Sequence, residues 1–317
     1  MNHHASRFHS PSSSSILNQG FSRESCPFTS VSWGQRLIGF ELSSNDPVLL
    51  GRAEKIFRPW RSRPPAEPIQ RWWVEPIGGR SEELPGRWKI WSDSRAKVLF
   101  GSTIEHALMI VEFSAVDNLI ERPDGPLSLH GALVEKDGKG VVILGRGEAG
   151  KSTFACALWQ RGWTLFCDDT TLVEAEAASA YPAPRRVSLR YPSRDLLGEE
   201  LWVRILATPS CDRSSEGCLF HPDEVDFKER SASATLAALI FLGRRGSSVG
   251  AARLERLEPA HALLALLPYS NLIRRVQLGE AIRSISPLAN AIPAFDLGRG
   301  PLEEMVQSLE RLLARGN

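Results

Sequence analysis

No apolar run in this 317-residue chain reaches the roughly 18 residues that a membrane-spanning helix needs. The longest, "ATLAALIFLG" and "HALLALLP", have the length of core elements, so no membrane partner is expected. Excess charge of either sign is also missing: 38 Lys and Arg stand against 37 Asp and Glu. That balance supplies no basic footprint for nucleic acid or for an acidic lipid surface. Cysteine is sparse, with five residues at positions 26, 156, 167, 211 and 218, too scattered for a disulfide framework. Cys156 and Cys167 stand in apolar contexts and read as small buried residues. Cys211 and Cys218 are spaced more widely than a metal or redox pair usually is. The first residues hold no apolar stretch of the kind a secretory signal needs. A reducing, cytoplasmic setting is the expectation. No internal repeat is evident.

What is present divides the chain in three. Residues 1–30 are rich in Ser, Asn, His and Gly without periodicity, and a flexible tail is expected. His3, His4 and His9 read as part of that tail rather than as metal ligands. Residues 31–122 carry short alternating runs between breakers such as "RSRPPAEP", which predicts an N-terminal, mostly β domain. The expected strands are "RLIGFEL", "IQRWWVEPI", "RWKIWSD" and "AKVLFG"; "EHALMIVEFSAVDNLI" fits a helix or an extended segment. Trp60, Trp72 and Trp73 fit either core packing or an interface. No catalytic constellation shows here.

Residues 123–317 read as α/β. "SLHGALVE" and "VVILG" flank a "DGKG" turn and predict a hairpin. A helix is expected from Lys151, with Phe154, Leu158 and Trp159 near one face, ended by a left-handed Gly162. "WTLFC" is an apolar strand that stops at Asp168 and Asp169. Farther on, "CDRSSEGCLFHPDEVDFKERSA" reads as a mobile polar loop. "TLAALIFLGRR" reads as a core strand with Arg244 and Arg245 at its exit. "EPAHALLALLPYS" and "PLEEMVQSLERLLA" read as helices.

The stretch "GRGEAGKS", residues 145–152, matches G-x-x-x-x-G-K-[ST] between a strand and a helix. Gly145 and Gly150 let such a turn close without Cβ clashes. The backbone N–H groups of Arg146, Gly147, Glu148, Ala149 and Thr153 can then face anionic phosphates at the helix N-terminus. Lys151 can lie along the outer phosphates, and Ser152 can offer its hydroxyl to Mg²⁺. The Glu148 carboxylate must point away. The bland alternative is a Gly-rich turn before a surface helix. Asp168 follows Lys151 by seventeen residues. The strand order predicts the acid pair at the carboxyl end of a neighbouring strand, where the loop also opens. One acid can hold Mg²⁺ while the other orients or deprotonates an attacking group. A strand-end turn cap is the alternative for these aspartates.

Taken together, "LHGALVEKDGKGVVILGRGEAGKSTFACALWQRGWTLFCDD" resembles the catalytic core of the HPr kinase/phosphorylase family. The pieces in phase are His130-Gly131, residues 145–152, Arg161-Gly162 and Asp168-Asp169. The resemblance implies a phosphate-loop core folded like that of phosphoenolpyruvate carboxykinase. It implies ATP, Mg²⁺ and transfer to a hydroxyl in a bacterial cytoplasm. It makes Asp168 the base toward the acceptor, sets His130 near the acid pair and gives Lys151 the phosphates. It gives Ser152 the metal, and Asp169 the metal or the acid network. The family's Glu-x-Arg-Gly-x-Gly signature is replaced here by "LRYPSRDLLG". Phosphorolysis, the acceptor HPr and hexameric assembly are therefore not carried over, and a homo-oligomer stays open. The expected function is an ATP-dependent kinase acting on a hydroxyl of a protein, peptide or small molecule. The alternatives are a nucleotide-binding regulatory or scaffolding module and a simple ATPase. A GTPase is disfavoured, because no N-K-x-D is recognisable.

Overall fold

The computed structural model describes residues 29–35, 38–58, 69–77, 87–226, 232–243 and 252–315. Cys26, Trp60, Arg244, Arg245 and the histidines of the first thirty residues lie outside these segments. Five strands form the first sheet, in chain order: β1 (Thr29–Gln35), β2 (Ile38–Ser44), β3 (Ile69–Ile77), β4 (Arg87–Ser92) and β5 (Arg95–Gly101). Helix α1 (Pro47–Ile56) links β2 to β3, which makes that pair parallel. Helix α2 (Ile104–Glu121) follows β5.

Local chemistry explains both helix starts. Asp46 accepts the Val48 and Leu49 N–H groups with Pro47 at the first helical position, and Thr103 accepts the His106 N–H. Side chains along β4 alternate, so Trp88 and Ile90 are buried while Lys89 and Trp91 face outward. The buried face, with Phe40, Leu42, Trp72 and Val74, packs on Leu49 and Ala53 of α1 and on Leu108, Val111 and Ala115 of α2. Trp72 is therefore a core residue, and Trp73 stacks on Trp91 on the opposite face with ring centroids 6.1 Å apart. The predicted strands are present, but α1 and α2 make this region a sheet with two helices rather than mostly β. The stretch left ambiguous between helix and strand is α2.

The rest of the chain runs β6 (Leu127–Lys136), β7 (Lys139–Leu144), α3 (Lys151–Gln160), β8 (Thr164–Cys167), β9 (Thr170–Glu174) and β10 (Ser179–Pro182). Next come β11 (Val187–Arg190), α4 (Ser193–Leu197), α5 (Glu199–Leu206), β12 (Asp212–Arg213), β13 (Gly217–Phe220) and α6 (Pro222–Asp226). The last are β14 (Ala234–Leu242), β15 (Leu254–Leu257), α7 (Pro259–Leu266), α8 (Leu272–Arg275), α9 (Leu278–Ala291), β16 (Ala294–Leu297) and α10 (Leu302–Arg315). The main sheet has the order β10-β9-β6-β7-β14-β16-β15, with β8 paired to β6. Both faces of β7 are covered. Val141 and Ile143 pack with Phe154, Leu158 and Leu309 under α3 and α10, while Val142 and Leu144 pack with Leu266, Ile285 and Leu288 under α7 and α9. A strand buried on both sides reads as an unbroken apolar run, as "VVIL" does.

Two sequence expectations are corrected. The polar segment read as a mobile loop contains β12, β13 and α6, and with β11 it forms a three-stranded sheet in the order β11-β13-β12. Cys218 and Phe220 alternate inward from β13, and Phe220 stacks on Trp159 of α3. The charged residues around them hid a short strand. Second, β8 is not adjacent to β7. Both pair antiparallel with β6, which lies between them. The carboxyl ends of β7 and β8 still open at the same sheet edge, with β6 separating them. The protein is thus mixed α/β with several sheets. Among the described residues, no helix is long and apolar enough to cross a membrane.

Candidate active site

The turn between β7 and α3 places residues 145–150 at this sheet edge. Gly150 caps α3 with φ 91°, in the left-handed region. A Cβ there is strained whatever space surrounds it. We expect Gly150→Ala to cost about 1–2 kcal/mol, read as a lower midpoint in denaturant. Gly131 has a different reason to be glycine. Its Cβ would stand 2.8 Å from the Ile143 carbonyl oxygen, and its N–H donates to the Asp169 carbonyl at 2.8 Å. That close approach holds β6 between the loop and the acid pair, and it sets the adjacent His130 between them.

A cleft of about 450 Å³ opens there. Its lining includes residues 147–153 of the loop and helix start, His130, Asp168, Asp169 and Arg185, with Phe113 of α2 and Ser193. Ser152 Oγ donates to Asp168 Oδ2 at 2.7 Å, and the Ser188 N–H donates to the same oxygen at 3.2 Å. Asp169 accepts from Arg185 Nη1 at 2.9 Å and from Thr170 Oγ1 at 3.0 Å, and His130 Nδ1 lies 3.0 Å from it. Lys151 Nζ donates to the Gly145 carbonyl at 2.9 Å and lies 3.2 Å from His130 Nε2. With Nδ1–H donating to Asp169, Nε2 presents its lone pair to the ammonium. His130 thus bridges Lys151 and Asp169.

The two adjacent carboxylates have opposite electrostatics. Burial, then the charge of Asp169, pushes Asp168 up from 3.8 to about 6, against the donors Ser152 and Ser188. Burial works upward on Asp169 too, but His130 and Arg185 outweigh it and hold that carboxyl well below the usual range. Burial lowers the Lys151 ammonium, while Asp169 and Asp168 oppose the shift. At neutral pH the cleft therefore holds one firmly ionised acid and one acid poised close to its titration, an arrangement suited to proton transfer.

Each residue assigned to the site from the sequence has a definite place. Lys151, Ser152, Asp168, Asp169 and His130 converge. Gly147, Glu148, Ala149, Gly150 and Thr153 line the cleft, and Gly145 and Arg146 form the base of the turn, where Lys151 meets their carbonyls. Glu148 turns its carboxylate outward to Arg190 at 2.7 Å. Ser152 reaches Asp168 rather than Asp169, whose two oxygens are taken by His130, Thr170 and Arg185. Sequence reasoning missed Phe113, Arg185, Ser188 and Ser193. The "RR" of "PAPRRVSLR" was the one visible sign of Arg185. Ser193, which bonds Thr153 at 2.8 Å, and Ser188, which acts through its backbone, gave none.

Fold and cleft define a class: an α/β protein with a glycine-rich strand-to-helix turn facing an acid pair. Comparison with known proteins adds the following. A family model described as "SynChlorMet cassette protein ScmC" matches residues 101–186, a span that holds α2, the turn, both aspartates and Arg185. The structure of the Hpr(Ser) kinase/phosphatase from Coxiella burnetii is similar, with 16% identity and a TM-score of 0.32, covering 59% of this chain and 98% of that one. No curated protein matches the chain.

Proposed function

We propose that this chain is an ATP-dependent kinase that transfers the γ-phosphate to a serine or other hydroxyl of a protein, peptide or small-molecule acceptor in a bacterial cytoplasm. The observation that supports it best is the 2.7 Å bond from Ser152, at the start of α3, to the buried Asp168. It brings a phosphate-loop hydroxyl and a carboxylate poised near neutrality into one cleft. ATP would seat its outer phosphates on the N–H groups of residues 146–153. Lys151 would exchange the Gly145 and Arg146 carbonyls for phosphate oxygens, bringing its charge to the transferring group. Asp168 would accept the acceptor's proton as the acceptor oxygen bonds to the γ-phosphorus. The bond from that phosphorus to the β-γ bridging oxygen breaks, and ADP departs with the electron pair. Asp169, kept ionised by Arg185 and His130, would hold the field in which Asp168 works.

Mg²⁺ fits the donors present. The cleft floor offers a hydroxyl and two carboxylates, hard oxygen ligands of the kind this cation takes. Ser152 and Asp169 would hold it together with nucleotide phosphates, and it would neutralise charge on them. Among the described residues no group of three or more His, Cys, Asp and Glu is arranged to hold a metal, so sharing with the nucleotide is part of the proposal.

Two experiments test the reading. Transfer of label from γ-labelled ATP into a native lysate, followed by identification of the labelled species, should reveal an acceptor that speeds ADP release. Lys151→Met should weaken nucleotide binding about 10- to 100-fold, the worth of a charge-assisted hydrogen bond, in titrations with a fluorescent ATP analogue. Unchanged affinity would place the nucleotide elsewhere. Hydrolysis without any acceptor would favour the ATPase reading, and binding without turnover the regulatory one.

A further inference from the structure

Helix α2 belongs to the first sheet's half of the chain, yet its Phe113 lines the cleft and the preceding residue holds the cleft-lining Arg186. Glu112 is fully buried. It accepts the backbone N–H of Arg186 at 2.6 Å and Arg186 Nε at 2.9 Å. Phe113, the next residue, lies under the guanidinium of Arg185, whose Cζ is 3.4 Å from the ring centroid. Arg185 Nη1 then reaches Asp169 at 2.9 Å and Thr170 Oγ1 at 3.3 Å. Two positions beyond Arg186, the Ser188 N–H donates to Asp168. An adjacent pair on one helix thus grips an adjacent pair on the β10–β11 connection, and that connection with the start of β11 serves both aspartates.

We propose that Glu112 and Phe113 form a positioning clamp, in which Glu112 fixes the backbone at Arg186 and Phe113 fixes the plane of the Arg185 guanidinium against Asp169. Successive helix positions point about 100° apart, so one helix can supply both grips without competition between them. An arginine has many rotamers, and a lone hydrogen bond selects among them weakly. A ring face on one side and a carboxylate at the edge leave the guanidinium one plane. The clamp makes the N-terminal half a working part of the site. For its kinetic consequence the inference rests on the phosphoryl-transfer reading above.

The test uses the full-length chain with MgATP and the native lysate as the source of acceptor. Phe113→Leu removes the ring face and keeps an apolar side chain. It is expected to slow ATP turnover about tenfold with KM for ATP unchanged, as loss of a partly desolvated cation–π contact implies. Phe113→Tyr restores a ring and should recover most of that loss. Arg185→Ala should be equally slow, and millimolar guanidinium should restore part of its turnover. In the double variant Arg185→Ala/Phe113→Leu the same addition should restore nothing. Equal rescue in both backgrounds, or wild-type turnover in Phe113→Leu, overturns the clamp. If the wild-type chain neither turns over ATP nor transfers label to any species of the lysate, the kinase reading falls, and the clamp is judged by the Arg185 Nε–Hε NMR resonance instead. Ring current should displace that resonance in the wild type, and Glu112→Gln should return it toward the position of a free arginine. A resonance unmoved by Glu112→Gln overturns the clamp.

Discussion

Asp168→Asn should lower phosphoryl transfer about 10²- to 10⁴-fold, the range for removing a general base, while nucleotide affinity is kept. The geometry favours a clean substitution. Both donors to Asp168, Ser152 Oγ and the Ser188 N–H, converge on Oδ2. An asparagine with its amide oxygen in that position keeps both bonds and loses the buried charge and with it the capacity to take a proton. The same variant should be more stable without ligand. The folded-state value of Asp168 lies at about 6 against an ordinary 3.8. A carboxyl raised in this way disfavours the folded state wherever it is ionised, so its cost grows as pH rises from about 4 to about 6 and is constant above. Near pH 7.5 the neutral asparagine should gain about 2–3 kcal/mol, and below pH 4 the gain should vanish. Chemical denaturation of both proteins at the two pH values checks this. A variant that loses transfer and stability together would mean that Asp168 is a structural acid.

How much of this could be read from the chain depends on sequence separation. Ser152 and Asp168 are sixteen positions apart and Lys151 and His130 twenty-one. A single strand–turn–helix–strand unit and its preceding hairpin contain them all. Glycine positions, an apolar "VVIL" and an apolar "TLFC" sufficed to bring those residues together. The position of β6 between β7 and β8 was not legible, since strand order in a sheet is a property of long-range pairing. That hidden order is what sets His130 between Lys151 and Asp169. The Glu112–Arg186 contact spans seventy-four positions. Within α2, Glu112 lies among apolar residues and looks like any helix acid, and nothing near the two arginines marks them as its partners. The β12–β13 hairpin was missed for a related reason: only two inward side chains, Cys218 and Phe220, mark its longer strand.

Arg186→Met should be the most destabilising single change in the molecule outside its apolar core, at about 3–5 kcal/mol. The side chain is wholly buried. Its guanidinium meets Glu112 and Asp212 and donates to the Ser210 carbonyl at 3.1 Å, and Asp212 is further paired with Arg52 of α1. The four charges balance, two of each sign, at the seam between the two α helices of the first half and the three-stranded sheet. Removing Arg186 leaves the Glu112 carboxylate fully buried without its cation, and desolvation of an unpaired charge is the large term. Exposed pairs such as Arg194–Glu199 carry no comparable penalty, because water replaces the lost partner. Against a typical total of about 5–15 kcal/mol, the loss should be plain in urea unfolding. It should also change little between low and high salt, since a buried pair is poorly screened. The double variant Arg186→Met/Glu112→Leu separates the terms. With no orphaned carboxylate beside the new methionine, it should be more stable than Arg186→Met alone. If the double variant is the weaker of the two, the seam is held by the hydrogen bonds of Arg186 rather than by the cost of leaving Glu112 alone.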